Sequence, residues 1–122
     1  MNLSMFAKEI HKANKEKGFY DKPVETGTSL MLITSELSEA LEADRHNLRA
    51  NRLAFEIDIE ENNIDFDVAF KTHIKDTYED EIADAIIRLL DLCGFKGIDI
   101  EFHVNNKLRY NSNRKRLHGK AY

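Results

Sequence analysis

Apolar residues recur along most of the chain at the three- and four-residue spacing of amphipathic helices. In the segment from about Thr26 to Arg45 they form one broad face, and a second strong pattern runs from about 76 to 92. We interpret Gly94 as the residue that stops the second helix. The apolar positions are Leu30, Ile33, Leu37, Ala40 and Leu41 in the first segment and Ile82, Ala83, Ile86, Leu89, Leu90 and Cys93 in the second.

The rest of the chain fits shorter helices. Ser4 can cap a first helix that ends near Gly18, and a last helix is expected to begin at Asp99. Segment 50–75 is ambiguous, because its apolar residues fit both a two-residue alternation and a four-residue spacing. We favour two short helices broken near 62–63 over a hairpin. With one proline and five glycines, the chain is predicted to be a single all-α domain over 1–122, a bundle of about four to six helices completed by oligomerisation.

Charge is distributed unevenly along the chain. The net charge is −4, yet segment 107–122 holds six Lys/Arg and no acid, whereas 1–106 holds twelve basic and twenty-two acidic residues. An acidic body beside a basic tail suits a substrate that combines a metal ion with phosphate. The sequence contains no apolar run of about 18 residues and no secretory leader pattern. We therefore expect a cytoplasmic protein that does not bind membranes.

Two pairs of acids fall on the two strongest helical patterns. Glu36 and Glu39 are three residues apart, as are Glu81 and Asp84, so each pair lies on neighbouring turns with Cβ atoms about 5–6 Å apart. Two such pairs on facing helices would form a cage of carboxylates, and oxygen-only ligands favour Mg²⁺ or Mn²⁺. The alternative is that Asp84 pairs with Arg88 four residues on, and that Glu36 and Glu39 are ordinary surface acids.

The basic tail contains a possible anion-binding stripe. Lys107, Asn111 and Arg114 would align on one side of a helix, and Lys120 could fold over the same group. Arginine suits bidentate phosphate contacts, and lysine supplies a point charge. Nucleic-acid binding is a rival interpretation, which the acidic body disfavours, and a simply solvated tail is another.

The segments 35–43 and 79–91, together with 17–19 and 118–120, resemble MazG-like nucleotide pyrophosphohydrolases of the all-α NTP pyrophosphatase superfamily. The resemblance spans nearly the whole chain. The usual first motif of that family opens with two adjacent glutamates, whereas this chain has Ser35 in the first position. Segment 47–75 also lengthens the usual gap between the two acidic motifs.

The resemblance implies an activity, a cofactor and an assembly. The activity is hydrolysis of a nucleoside triphosphate to a monophosphate and pyrophosphate with Mg²⁺, for which Mn²⁺ is a possible substitute, in a homodimer or dimer-based homotetramer. Glu36 or Glu39 would also act on the attacking water. The implied metal ligands are Glu36, Glu39, Glu81 and Asp84, and the implied phosphate-binding residues are Lys107, Asn111, Arg114 and Lys120. The alternative function is a non-catalytic helical interaction protein with a solvated acidic body and basic tail.

Overall fold

The computed structural model describes residues 2–114, which form six α-helices and contain no strand. The all-α prediction is therefore confirmed. None of the helices in this range is long and apolar enough to cross a membrane. The helices are α1 (Leu3–Glu16), α2 (Thr26–Arg45), α3 (Arg52–Glu60), α4 (Phe66–His73), α5 (Tyr78–Lys96) and α6 (Ile100–Ser112).

The chain folds as two compact units. One contains Met1–Lys22 and Leu90–Tyr122, and the other contains Pro23–Leu89. Both predicted acidic pairs lie in the second unit, on α2 and α5, whereas the basic stripe belongs to the first. The single domain over 1–122 stays a prediction.

The start of α1 is capped by Asn2 and not by Ser4. The Asn2 side-chain oxygen accepts hydrogen bonds from the backbone N–H groups of Ser4 and Met5, at 2.8 and 3.1 Å. The Ser4 hydroxyl instead donates to Asp99 Oδ1 at 2.6 Å and accepts from the Glu101 N–H at 3.0 Å. The predicted Ser4 cap is thus wrong, because this hydroxyl joins α1 to the start of α6.

The interpretation of Gly94 as a helix stop is also wrong. Helix α5 continues through Gly94 to Lys96, and the left-handed residue that follows it is Gly97, with φ of 68°. A Cβ atom at position 94 would lie 2.5 Å from the carbonyl oxygen of Ala7 and 2.7 Å from Cβ of His11. Glycine is needed there because α1 passes too close for any side chain.

Segment 50–75 forms α3 and α4, which confirms two short helices and excludes the hairpin. The ring centroid of Phe66 lies 5.9 Å from that of Phe55 and 5.9 Å from that of Phe70, so aromatic side chains lie in the contact between the two helices. His73 Nε2 lies 2.7 Å from Asp58 Oδ2, which adds a polar contact beside the rings. The two helices therefore contact each other through aromatic rings, of which Phe66 stays 59% exposed.

Candidate metal centre

Three consecutive acids at the start of α5 have different surroundings: Glu79 and Asp80 accept backbone hydrogen bonds, whereas Glu81 is buried. Glu79 accepts a hydrogen bond from the Ala50 N–H at 2.8 Å, and Asp80 accepts one from the Asp76 N–H at 2.9 Å. The bond from Ala50 holds the pKa of Glu79 below its usual range. Glu81, the next residue, is only 7% exposed. It points to the inner side of α5, away from these turns.

Three carboxylates converge from two helices. Glu36 and Glu39 on α2 and Glu81 on α5 each offer one oxygen, and these oxygens all lie within 4.8 Å of one another. Adjacent ligand oxygens in a Mg²⁺ octahedron lie about 3 Å apart and opposite ones about 4.2 Å apart. The three oxygens lie within a span comparable to the width of such an octahedron, and carboxylate oxygens are the donor type that Mg²⁺ prefers.

Like charge at this cluster changes the proton affinity of its members. Burial, followed by a hydrogen bond to Glu39 and the charges of Glu39, Asp84 and Glu36, raises the pKa of Glu81 to about 7. Burial and the charges of Asp80 and Glu36 also raise the pKa of Asp84. In the absence of a cation, Glu81 therefore keeps its proton up to about pH 7.

The structure brings together three of the four predicted ligands. Asp84 does not belong to the group of oxygens within 4.8 Å, which contains Glu36, Glu39 and Glu81. It lies one turn beyond Glu81 on α5 and is partly buried, and its charge acts on both acids of α2.

Arg88 is the functional residue whose partner the sequence interpretation missed. Its Nε donates to Glu36 Oε1 at 2.8 Å, across from α5 to α2, whereas the alternative interpretation of the sequence paired it with Asp84 on the same helix. The Glu36 side chain is 10% exposed and that of Arg88 is 44% exposed. The buried carboxylate thus receives a charged hydrogen bond from a side chain that also contacts solvent. Arg88 is seven residues after Glu81 and four after Asp84, so it lies on the same side of α5 as these acids. This spacing is the feature of the sequence that points to a contact between Arg88 and the acidic cluster.

A second polar cluster lies in the unit that contains α1. Asp91 Oδ1 lies 3.0 Å from His11 Nδ1, and Asp91 Oδ2 accepts the Tyr20 hydroxyl at 2.7 Å. Burial and the bond to Asp91 raise the pKa of Tyr20. The rings of His11 and Tyr20 meet edge to face at 4.5 Å, and Phe95 packs on both. These contacts join the segment after α1 to the end of α5.

The basic stripe predicted for the tail gathers around one tyrosine. Lys107 Nζ lies 5.1 Å and Arg114 Cζ 5.5 Å from the centroid of the Tyr110 ring, and Asn111 follows that tyrosine on α6. Lys120 lies outside the described residues. A shallow concavity of about 690 Å³ on this helix is lined by His103, Val104, Asn106, Lys107, Leu108 and Tyr110.

Compared with known proteins, the chain matches no family model, no curated protein and no solved structure. The resemblance to MazG-like pyrophosphohydrolases therefore stays a prediction that rests on the acidic segments and the basic tail.

Proposed function

We propose that this protein is a Mg²⁺-dependent nucleoside triphosphate pyrophosphohydrolase that converts an NTP or dNTP to the monophosphate and pyrophosphate. The observation that carries the proposal is the convergence of Glu36, Glu39 and Glu81 from two helices, with their oxygens within 4.8 Å. Two of these acids are buried, and burying like charges together is unfavourable unless a cation or a proton compensates.

The residues at the cluster fit a hard divalent cation. Glu36, Glu39 and Glu81 would hold it, with Asp84 as a fourth carboxylate from the exposed side. Bound there, Mg²⁺ offsets the charge of a triphosphate and lowers the pKa of a coordinated water. Mn²⁺ accepts the same oxygen ligands and is the expected substitute.

Of the two acids on α2, we assign Glu39 to the attacking water. Glu39 is exposed, whereas Glu36 is buried and is held by Arg88. A solvent-facing carboxylate can accept the proton of a water molecule, and a buried one fixed by an ion pair is better suited to hold a cation. Glu36 is therefore assigned to the cation alone.

Lys107 and Asn111 on α6, with Arg114 just beyond its end, are assigned to the phosphate chain on the basis of the family resemblance. Lys107 and Arg114 flank Tyr110, so two positive charges and an amide donor at Asn111 lie close together on one segment. Positive charge near the leaving pyrophosphate stabilises the step at which negative charge develops on it. Lys120 is assigned to the same group on the basis of the sequence alone.

The direct test is incubation of the protein with Mg²⁺ and each common NTP and dNTP, in water enriched in ¹⁸O. The expected products are monophosphate and pyrophosphate in equal amounts, with the label in the monophosphate, because water attacks the α-phosphorus. Orthophosphate as the first product would contradict the reaction assigned here, and lack of turnover of every nucleotide would contradict the enzyme class.

Two variants test the assigned carboxylates against a matched control. Glu39→Gln and Asp84→Asn are expected to lower turnover by at least about a hundredfold, because each removes a charge at the cluster. Glu42→Gln removes an acid from the same helix at an exposed position that contacts Arg45 at 3.6 Å, so it should keep full activity. Full activity in both cluster variants would show that the metal ligands are wrongly assigned.

Assembly with a second copy of the chain is supported by an apolar surface on α2. Ile33 and Ala40 are buried, at 6% and 3% exposure, but Leu30, Leu37 and Leu41 on the adjoining side of the helix remain 49%, 50% and 51% exposed. Three half-exposed leucines on successive turns form the kind of patch that a partner subunit covers. Sedimentation velocity should therefore show a dimer or a dimer-based tetramer, and a monomer at all concentrations would contradict this assembly.

The same surface supports a second candidate function, a non-catalytic helical interaction protein. In that case the leucine face of α2 would bind a different protein, and the acids would serve solubility. The two functions differ in one measurable property, since only the hydrolase releases pyrophosphate from a nucleotide when Mg²⁺ is present.

A further inference from the structure

We infer that the Arg88 guanidinium neutralises Glu36 when no metal ion is bound, and that it competes with the metal ion for this carboxylate. This inference rests on the proposed function, because it assigns a regulating residue to the same centre. It concerns the affinity for the metal, which is measurable without any turnover.

The contact that carries the inference crosses between two helices. Arg88 Nε donates to Glu36 Oε1 at 2.8 Å, and Glu36 Oε1 or its partner oxygen is also what the cluster offers to a cation. Oε1 cannot be given fully to a metal ion while it accepts this short charged hydrogen bond, and the bond also draws charge from the other oxygen of the same carboxylate. Loading the site with the full charge of Glu36 therefore requires Arg88 to release it.

The position of Arg88 allows such a release. Its side chain is 44% exposed, so a guanidinium released from Glu36 would be hydrated, whereas the Glu36 side chain is only 10% exposed. Arg88 is also two turns beyond Glu81 and one turn beyond Asp84, so it stays on the stripe that borders the cluster. Once released, its planar donors would be available to a phosphate oxygen of the substrate.

A charge argument gives the size of the effect. A divalent cation and an arginine side chain about 6 Å apart repel each other by an amount equivalent to roughly tenfold in affinity, even at the dielectric constant of water. Removing the positive charge, with Glu36 then free to turn toward the ion, should tighten metal binding by about that factor. Arg88 thus limits how strongly the empty site attracts divalent cations.

The test measures Mn²⁺ binding to the metal-free protein by the electron paramagnetic resonance signal of the free ion. Arg88→Met should bind Mn²⁺ about tenfold more tightly than wild type, and Arg88→Lys, which keeps the charge, should stay within about threefold. The matched control is Arg52→Met, which removes the same side chain from an exposed pair with Glu56 on α3 and should leave the affinity unchanged.

A measurement on the wild-type protein covers the case in which Arg88→Met does not fold. The Arg88 Nε–H resonance, assigned by its loss in Arg88→Lys, should shift when Mg²⁺ is added and exchange faster with water. Unchanged Mn²⁺ affinity in a folded Arg88→Met, or an Arg88 resonance that Mg²⁺ does not move while Mn²⁺ binds, would overturn the inference alone. If wild type and variants all fail to bind Mn²⁺, the proposed metal centre is overturned together with the inference.

Discussion

Replacing Glu81 by glutamine is expected to stabilise the metal-free protein at about pH 8 and to leave its stability at about pH 4 nearly unchanged. Burial and the neighbouring carboxylate of Glu39 raise the pKa of Glu81 to about 7 in the folded protein. In the unfolded chain a glutamate has a pKa of about 4.3. The folded state therefore binds more protons than the unfolded state between these two values. The corresponding stability is fully present below about pH 4.3 and is lost as the pH rises to about 7.

The size of the loss follows from the difference between the two pKa values. Each pKa unit corresponds to about 1.4 kcal/mol, so ionising Glu81 in the folded protein costs on the order of 3 kcal/mol of stability above pH 7. Glutamine has the shape of the protonated acid, and its amide can donate to Glu39 as protonated Glu81 does. The variant should thus keep at pH 8 the stability that the wild type has only in acid.

Urea denaturation followed by far-UV circular dichroism, with a chelator present, measures both proteins across this pH range. Glu42→Gln is the control, since Glu42 is exposed on α2 and should follow the wild type. Added Mg²⁺ should raise the stability of the wild type at pH 8, because a divalent cation favours the ionised acid, and should stabilise Glu81→Gln much less. Parallel pH profiles for wild type and Glu81→Gln would refute the reasoning.

Three further changes test other parts of the structure. Gly94→Ala should lower the free energy of unfolding by roughly 1–2 kcal/mol, because the added Cβ meets the Ala7 carbonyl at 2.5 Å and this outweighs the gain in helix propensity. Urea denaturation measures the change, and a stabilised variant would contradict the close approach. Tyr20→Phe removes the 2.7 Å hydrogen bond to Asp91 and should cost about 1–2 kcal/mol by the same measurement, whereas unchanged stability would show that this bond contributes nothing. Leu37→Glu should weaken self-association at least about tenfold in sedimentation velocity while the helical signal persists, and an unaffected assembly would place the interface elsewhere.

The sequence predicted the helices of this protein well, because their apolar spacing is a local property. Helix α2 has the predicted bounds, Thr26–Arg45, and segment 50–75 forms the two short helices expected from its four-residue spacing. Gly94 was misinterpreted because glycine favours helix ends locally, and only the neighbouring α1 shows why it stands inside a helix. Ser4 was misinterpreted for a similar reason, since its hydroxyl is used by Asp99, which is distant in sequence.

The candidate site shows the same division between local and tertiary information. Spacing of three residues marked the pairs Glu36/Glu39 and Glu81/Asp84, and the basic tail and the family resemblance were needed to favour a metal site over ordinary surface acids; the structure brings three of these four acids together. The same rule paired Arg88 with Asp84, but the structure pairs it with Glu36 at 2.8 Å. Glu36 is the more deeply buried acid, so it gains more from a charged hydrogen bond, and burial cannot be read from spacing alone.

Without a metal ion, the negative charge of the carboxylate cluster is only partly neutralised, by one proton and one guanidinium. The response of the cluster to Mg²⁺ therefore distinguishes the two candidate functions. The proton on Glu81 and the guanidinium of Arg88, which donates to Glu36, each act on only part of the cluster. Helices that only pack together would be at least as stable with apolar residues at the two buried positions. A divalent cation acts on all three carboxylates at once, so the hydrolase should gain stability from Mg²⁺ as the pH rises through 7. An interaction protein that uses these acids for solubility should show no such linkage, and the urea series with and without Mg²⁺ therefore tests the function as well as the pKa.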